Sequence, residues 1–267
     1  MRLVTVFANR TQFAASVGWL ESAGLPFTVV SPDPGYARVG VPGVVLEEAV
    51  RLRLAAGPTP PWACAGWVEY RPPCREVPLA PPPAFTSDVL EQVAVMTLQP
   101  CLADATKLRA IAHVVGHLAE VFPYLNATMP GASYNPNGPV LTFREGYRLV
   151  SLYPWRIAVA KFDDLVDLWR VLEGIRVRAN TCWQNRAALT PCFTMRERPP
   201  ALKIYLHLPR TNCRACGEQT CFAFAFKVWR GAAAVSECAP VFSGEYGHLA
   251  VALEELCAGL SVGGEEE

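Results

Sequence analysis

Four cysteines close to the C-terminus carry the clearest chemical signal in the sequence. Cys213, Cys216 and Cys221 lie on one short segment, and Cys238 follows after sixteen intervening residues, which gives the spacing C-x2-C-x4-C-x16-C. A 4Fe–4S cluster is held by four cysteine thiolates. Three ligands from one loop and a fourth that returns after a helix would surround such a cluster. The sequence therefore predicts that these four residues bind one 4Fe–4S cluster.

Structural zinc is the main alternative, because zinc also accepts four thiolates. Structural zinc sites usually combine two short knuckles, each with two to four residues between its cysteines. Here sixteen residues separate Cys221 from Cys238. The aromatic and apolar residues between them also suit a redox cluster, whose potential depends on burial and solvent access. The spacing favours the cluster over zinc.

A helix after Cys221 is expected to position the returning ligand. Thr220 is a suitable N-cap residue, and Gly231 suits the C-terminal end. The buried side of this helix is expected to hold three aromatic residues, Phe222, Phe226 and Trp229. The free N–H groups and the positive dipole end at the helix N-terminus would favour an anionic cluster nearby.

Residues beside the cysteines fit the same interpretation. Gly217 would allow the backbone to approach a sulfur atom closely. Three basic residues would add positive charge around the cluster: Arg210, Arg214 and Lys227. His207, just before the segment, would tune or cover the cluster.

The segment from Asn212 to Pro240 resembles a known iron–sulfur domain. Its pattern is NC-x2-CG-x2-TC-x-AFA, followed by a distal Cys with a proline just after it. This pattern is similar to the 4Fe–4S domain of the large subunit of the corrinoid iron–sulfur protein, and related domains occur in the B subunits of Rnf-type electron-transport complexes. The resemblance implies a low-potential cluster that passes single electrons to the metal centre of a redox protein partner.

The rest of the chain departs from the corrinoid protein. No corrinoid-binding barrel is expected, so the resemblance does not imply cobamide binding here. Residues 86–205 resemble instead the accessory region of iron–sulfur proteins of anaerobes that end in the same domain. The resemblance therefore implies a role in anaerobic metabolism without naming the electron donor or acceptor.

The composition predicts a soluble globular protein. The 267 residues include 51% hydrophobic residues, and 24 Lys and Arg residues balance 24 Asp and Glu residues. Because nucleic-acid-binding surfaces need a basic excess, no nucleic-acid partner is expected. No apolar run reaches the ~18 residues that a membrane span requires, and the N-terminal run is too short for a signal peptide. The cysteines cluster in one segment, whereas a secreted disulfide scaffold would be shorter and more evenly cross-linked. This distribution predicts a cytoplasmic protein whose cysteines bind metal.

The fold class predicted is mixed: a small N-terminal α/β unit, a central α+β domain and a small helical 4Fe–4S module. The boundaries are 1–57 for the α/β unit, 58–84 for a proline-rich linker, 85–205 for the central domain, 206–245 for the cluster module and 246–267 for a C-terminal helix and acidic tail. The α/β unit is expected to contain strands at 2–7, 27–30 and 39–45 and a helix at 11–23.

The central domain is expected to begin with helices and continue with strands. Helices are predicted at 87–99 and 104–122, strands at 140–143, 148–153 and 156–160, and a last helix from Asp163 or Asp164 to about Asn180. The evidence for the second helix is an apolar stripe formed by Leu108, Ile111, Val115, Leu118 and Phe122.

Two further groups could bind metal. His113 and His117 would lie one turn apart on the second helix, with Glu120 close by. The alternative is a solvated polar face opposite the apolar stripe. Cys182 and Cys192 could ligate a second metal or form a redox pair, although small buried cysteines are more common.

An anion or nucleotide pocket is a weaker possibility, because no phosphate-binding glycine pattern is present. Its candidate residues are Asn126, Tyr134, Asn135, Lys161 and Arg186.

Three functions remain open at this stage. The leading one is a single-electron carrier or redox accessory protein for a metallo- or corrinoid enzyme, with no covalent chemistry of its own. The second is an enzyme whose cluster feeds electrons to a substrate or cofactor in the central domain, which requires a pocket close to the cluster. The third is a binding module with a purely structural iron–sulfur or zinc site.

Overall fold

The computed structural model describes residues 1–57, 62–73, 80–195 and 199–257. The fold is mixed α/β and contains two antiparallel sheets. The strands are β1 (Arg2–Val6), β2 (Thr28–Val30), β3 (Gly43–Glu47), β4 (Val68–Glu69), β5 (Leu90–Pro100), β6 (Leu108–Gly116), β7 (Ser133–Asn135), β8 (Val140–Glu145), β9 (Arg148–Tyr153) and β10 (Arg156–Phe162). The helices are α1 (Arg10–Ser22), α2 (Glu48–Ala56), α3 (Phe122–Thr128), α4 (Leu165–Gln184), α5 (Ala201–Leu206), α6 (Cys221–Arg230), α7 (Ala239–Phe242) and α8 (Ala250–Cys257).

Some of the predicted features lie outside the described residues. These are residues 58–61 and 74–79 of the proline-rich linker and the acidic tail at the C-terminus. Among the described residues, none of the helices is both long and apolar enough to span a bilayer.

The first sheet has the strand order β2-β3-β1-β4. The predicted succession of strand, helix and strand is confirmed by β1, α1 and β2. Asn9 begins α1, because its side chain accepts a hydrogen bond from the backbone N–H of Gln12. The third strand begins at Gly43, later than predicted, and is followed by α2, which the sequence pattern did not indicate. Strand β4 joins this sheet from the stretch predicted to be a linker, since it pairs with β1.

The second sheet has the strand order β5-β6-β10-β9-β8-β7. The three predicted strands at 140–143, 148–153 and 156–160 are confirmed by β8, β9 and β10. The long helix α4 packs against β5 and β10. Asp164 caps it by accepting from the backbone N–H of Asp167, as the sequence predicted. All four residues predicted for its buried face are buried: Leu165, Trp169, Leu172 and Ile175.

The helices predicted at 87–99 and 104–122 are wrong, because most of both segments forms the paired strands β5 and β6. In β6 the buried residues alternate, with Leu108, Ala110, Ala112 and Val114 inside. Ile111 and Val115, which were expected on a buried helix stripe, are exposed. In β5 the register shifts near Val95, and this irregularity changes the alternation into a spacing that resembles a helix.

The apolar core explains why these strands pair. One cluster of buried residues contains side chains of both sheets and of α4, such as Val6, Val95 and Trp169. An isolated parallel bridge between Val39 and Val93 also links the N-terminal segment to β5. Gly40 has a φ of 104°, and a Cβ there would lie 2.3 Å from Trp169 Nε1, so this close approach requires glycine.

The C-terminal helices have a core of their own. We call residues 199–257 the C-terminal module, and residues 1–195 the body. The buried cluster of the module includes Ile204, Phe224, Val228 and Leu253, and it is separate from the clusters of the body. A small helical module at the C-terminus was expected, whereas the exact division of the chain into domains stays a prediction.

Candidate metal centre

The four cysteines of the predicted site border one cavity. Cys213 is exposed, Cys216 is half-buried, and Cys221 and Cys238 are buried. Residues 209–240 alone supply the lining, which also includes Pro209, Phe224 and Pro240. The fold therefore brings a ligand from beyond α6 to the loop that carries the other three.

Helix α6 supplies one side of this cavity, and its predicted ends are confirmed. Thr220 is the N-cap, and its hydroxyl accepts a hydrogen bond from the backbone N–H of Ala223 at 3.0 Å. Gly231 ends the helix with a left-handed backbone, φ 78°. Cys221 is the first residue of the helix, so its thiol lies where the positive end of the helix dipole favours a thiolate.

The return to Cys238 uses a short 3-10 turn, Val235–Glu237, rather than a second long helix. The Glu237 carboxylate accepts a hydrogen bond from the backbone N–H of Ala234 at 2.6 Å, which fixes the start of the turn. Cys238 then precedes α7, and its backbone carbonyl accepts hydrogen bonds from Val241 and Phe242. These contacts hold the fourth cysteine in a defined backbone position.

The loop that carries the first cysteines has an unusual backbone. Arg210, Asn212 and Arg214 all have positive φ values, 60°, 51° and 64°, and Gly217 follows at 81°. A left-handed conformation costs about 1–2 kcal/mol for a residue with a side chain. Such strain persists only where surrounding contacts impose it, and it is concentrated at functional sites. Alternating conformations of this type form concave backbone surfaces that bind anions.

Asn212 explains how the loop is attached to the helix. Its side-chain Oδ1 accepts a hydrogen bond from the backbone N–H of Cys221 at 2.8 Å. This contact satisfies an N–H group at the start of α6 and joins the residue before Cys213 to the third cysteine. Sequence reasoning did not assign this role. Asparagine is, however, the residue other than glycine that most readily adopts left-handed backbone, and that preference could have indicated it.

Gly217 was expected to allow a close approach between backbone and sulfur. A Cβ at this position would meet no protein atom within 4 Å. Its positive φ is a structural reason for glycine here, and the close approach to a sulfur of the cluster stays a prediction.

The protein environment shifts the pKa of Cys213 and the pKa of Cys238 in opposite directions. Hydrogen bonds from the Ala215 backbone and the Thr211 side chain lower the pKa of Cys213, which favours the thiolate. Burial raises the pKa of Cys238, and negative charge on the other three thiols adds to that effect. Four thiolates so close together are therefore favourable only with a cation or metal group between them.

The donor set fits an iron–sulfur group, because thiolates are the ligands of such clusters and the backbone N–H of Ala215 stabilises negative charge on Cys213. Although the four thiols border one cavity, no group of three or more His, Cys, Asp or Glu side chains in the described ranges is arranged to hold a single metal ion.

The predicted basic residues are only partly available to the site. Lys227 forms an ion pair with Glu218 at 2.5 Å, so its charge is partly balanced. Arg210 and Arg214 are exposed on the strained loop. The ring of His207 lies 2.8 Å from the carbonyl of Lys203, which ties it to α5.

The predicted buried face of α6 is wrong. Cys221, Phe224, Ala225 and Val228 face the core of the module. Phe222 and Phe226 point to solvent, and Trp229 is half-buried. Both sets of residues have helical spacing, and the packing of α6 against α5 decides which set is buried.

The predicted metal site at His113 and His117 does not form, because the segment predicted to be a helix is a strand. His113 lies on β6, and His117 lies beyond its end, where its ring packs edge-on against Trp155 with centroids 4.8 Å apart. Residues four apart along an extended strand are separated by about 13 Å, which is too far for both imidazoles to bind one metal ion.

The second cysteine pair is not joined by a disulfide. Cys182 is buried on α4, and its sulfur lies 3.9 Å from Thr128 Oγ1. Cys192 lies 3.2 Å from the hydroxyl of Thr194. Burial raises the pKa of Cys182, as expected for a cysteine with a structural role.

The predicted anion pocket is not assembled either. Asn126 and Tyr134 are buried, and the Asn126 side chain donates hydrogen bonds to the carbonyls of Cys192 and Thr194. Arg186 stacks over the ring of Trp183. Lys161 occupies a bulge in β10 with φ 66°.

Comparisons with known proteins agree with an iron–sulfur site. Residues 208–240 match the protein-family model described as "Putative Fe-S cluster". Two curated relatives are acetyl-CoA decarbonylase/synthase complex subunit gamma 1 of Methanosarcina thermophila and subunit gamma of Methanosarcina acetivorans. Each is 48% identical over 40 residues, which cover 15% of this chain and 8% of the relative. No solved structure matches the chain.

The iron–sulfur domain expected from the sequence is thus supported by a family model, and a subunit of an enzyme complex carries a similar segment. The chain spans less than a tenth of the length of these relatives. The type of cluster, its four ligands and the narrower resemblance to the corrinoid protein stay predictions.

Proposed function

We propose that Cys213, Cys216, Cys221 and Cys238 bind one 4Fe–4S cluster, and that the protein is a cytoplasmic single-electron carrier or redox accessory protein. The observation that carries this proposal is the single cavity bordered by all four thiols within the segment that matches an iron–sulfur family model. A bound cluster would supply reversible one-electron chemistry at low potential.

The chain's own residues perform the holding and positioning. The four thiolates bind, and hydrogen bonds from the backbone of Ala215 and the side chain of Thr211 stabilise the negative charge on Cys213. Asn212 holds the loop against α6. The N-terminus of α6 adds a favourable dipole at Cys221.

Electron transfer is favoured over catalysis in the central domain by the position of the cavity. Its lining comes entirely from residues 209–240, and Cys213 is exposed at its edge. A cluster held there would lie within the module and near the surface, which suits exchange of electrons with another protein. The gamma subunits that share the segment belong to a multisubunit complex, which supports a protein partner of this kind. Such a partner, with a metallo- or corrinoid centre, is part of the proposal.

The first test is anaerobic purification with analysis of iron and sulfide, followed by reduction with dithionite and electron paramagnetic resonance. We expect about four iron and four sulfide per chain and a signal that appears on reduction. Cys213→Ser and Cys238→Ser should each lose the reducible signal. Cys257→Ala should keep it, because Cys257 is buried in the same module but does not line the cavity.

Zinc without sulfide would contradict the proposal and would leave a structural module. Equal loss of signal in Cys257→Ala would show that the loss reflects misfolding rather than missing ligands. A product-forming activity of the chain that is lost together with the reducible cluster would favour the enzyme alternative.

A further inference from the structure

An exposed apolar surface lies beside the candidate metal centre. Leu202 and Leu206 on α5 are 57% and 54% exposed, and Phe222 and Phe226 on α6 are 49% and 45% exposed. We call these four residues the α5–α6 patch. Large exposed apolar groups that adjoin one another mark interaction sites, whereas isolated ones need no explanation.

The four residues lie in pairs on two neighbouring helices. Leu202 and Leu206 are one turn apart on α5, as Phe222 and Phe226 are on α6. Helices α5 and α6 pack together, and the ring of Tyr205 meets Phe222 edge-on with centroids 5.5 Å apart. The ring of Phe226 also stacks on Trp229, with centroids 5.4 Å apart, which extends the surface along α6.

The patch adjoins the cavity directly. Phe222 follows Cys221 in the chain, so the patch begins one residue from a proposed ligand. Electron transfer between proteins needs a short path between their redox groups. A partner bound at Phe222 would therefore lie beside the start of α6, next to a proposed ligand.

The charges of the module divide sharply between its two halves. Residues 199–231, which include α5, the cysteine loop and α6, contain five basic residues: Lys203, Arg210, Arg214, Lys227 and Arg230. They contain one acidic residue, Glu218, so five positive charges minus one negative charge leave +4. Residues 232–257 contain four glutamates and no lysine or arginine, which gives −4.

Neutralisation of a negative cluster does not account for all of this positive charge. Arg230 is the last residue of α6, about 13 Å along the helix from Cys221. Lys203 lies on α5, between the two leucines of the patch in sequence. These two exposed side chains place positive charge on the helices that carry the patch.

We propose that the α5–α6 patch is the docking surface for the redox partner, a protein whose own contact surface has an apolar centre and an acidic rim. This inference rests on the proposed function. In the reaction, the reduced partner loses one electron and the iron–sulfur group of the module gains it, and no bond or proton is exchanged. Complementary charge would steer the encounter, and the apolar contacts would hold the complex.

A second copy of this chain is a poorer occupant. Symmetric pairing through the patch would bring the basic residues of α5 and α6 from two copies together, and like charges oppose association. An anionic lipid surface would match the charge, so the experiment below includes it as an outcome.

The test measures the rate at which a chemically reduced, small acidic ferredoxin reduces the reconstituted full-length protein in a stopped-flow instrument. Lys203→Glu combined with Arg230→Glu should lower the second-order rate constant about tenfold or more at low salt, and the effect should shrink at high salt. Leu206→Ser combined with Phe226→Ser should lower it severalfold at both salt concentrations.

Helix α2 of the body offers matched controls, because it packs in a core separate from that of the module. Leu52 on α2 is 55% exposed, and Arg53 is exposed on the same helix. Leu52→Ser and Arg53→Glu should leave the rate with ferredoxin within about twofold of the wild-type rate, since surface substitutions away from a binding site have small effects. All variants should be reduced by dithionite as fast as the wild-type protein.

The outcomes separate the two proposals. A wild-type protein that dithionite does not reduce would contradict the proposed function itself. A protein that dithionite reduces, with ferredoxin rates that are the same in patch variants and controls, would overturn the docking surface. Patch variants that abolish self-association or binding to phosphatidylserine vesicles, with ferredoxin rates unchanged, would also overturn it in favour of another occupant.

Discussion

The body and the C-terminal module stabilise their folds in different ways. In the body, two sheets and α4 share a large apolar core, and a buried Arg148–Asp167 ion pair at 2.6 Å joins β9 to the start of α4. The module has a smaller core, and buried thiols form part of it. Its cysteine loop also contains three strained residues.

This difference indicates what each region needs in order to fold. Small units bury too little apolar surface for high stability, and many of them depend on a bound metal. Because metal ligands must come together on folding, the free energy of metal binding contributes to folding. We therefore expect the body to be stable by its own packing and the module to depend on its iron–sulfur group.

The largest effect is expected on removal of iron. Chelation under anaerobic conditions should increase hydrogen exchange of the α6 amides by about a hundredfold or more, because local unfolding exposes them. The amides of β9 and β10 should keep their protection. Hydrogen exchange measured by mass spectrometry resolves these segments, and unchanged protection in α6 would show that the module folds without the group.

A substitution in the core of the body should have the opposite result and affect the body without affecting the module. Trp169 is fully buried in the shared core, and Trp169→Ala should lower the free energy of unfolding of the body by about 3–5 kcal/mol. Iron content and protection of α6 should not change. Trp155→Ala, at an exposed position, is the matched control and should change stability by less than about 0.5 kcal/mol. Loss of iron in Trp169→Ala would contradict the independence of the two regions.

The smallest effects are expected from substitutions at two helix caps, one in each region. Asp164 caps α4 in the body and Thr220 caps α6 in the module, each by accepting a backbone hydrogen bond. Alanine at either position should cost about 1 kcal/mol. Asp164→Ala should lower the denaturant midpoint of the body, whereas Thr220→Ala should increase hydrogen exchange only in α6. A change in body stability from Thr220→Ala would show that the two regions unfold together.

Local signals predicted much of this structure correctly. Caps and turns specified both ends of α6 and the start of α4, because a capping side chain bonds to an N–H group a few residues away. Strands β8, β9 and β10 were also predicted, since tight turns separate them in the chain. The four cysteines were selected by spacing alone, and the fold brings them to one cavity.

Contacts between distant parts of the chain explain why some predictions from the sequence were wrong. Strands β5 and β6 depend on each other and on α4, and the irregular register of β5 makes its apolar pattern resemble a helix. On α6 the apolar residues surround most of the helix, so periodicity could not distinguish Phe224 from its exposed neighbours.

The sequence by itself identified four cysteines as candidate ligands of an iron–sulfur group and determined where the helix between Cys221 and Cys238 begins and ends. Those features depend on residue type and on contacts between near neighbours. The tertiary structure alone decided that Phe222 and Phe226 face solvent and that Asn212 anchors the cysteine loop. Both outcomes depend on how α5, the loop and α6 pack together, and packing between separate segments is not encoded in any one of them.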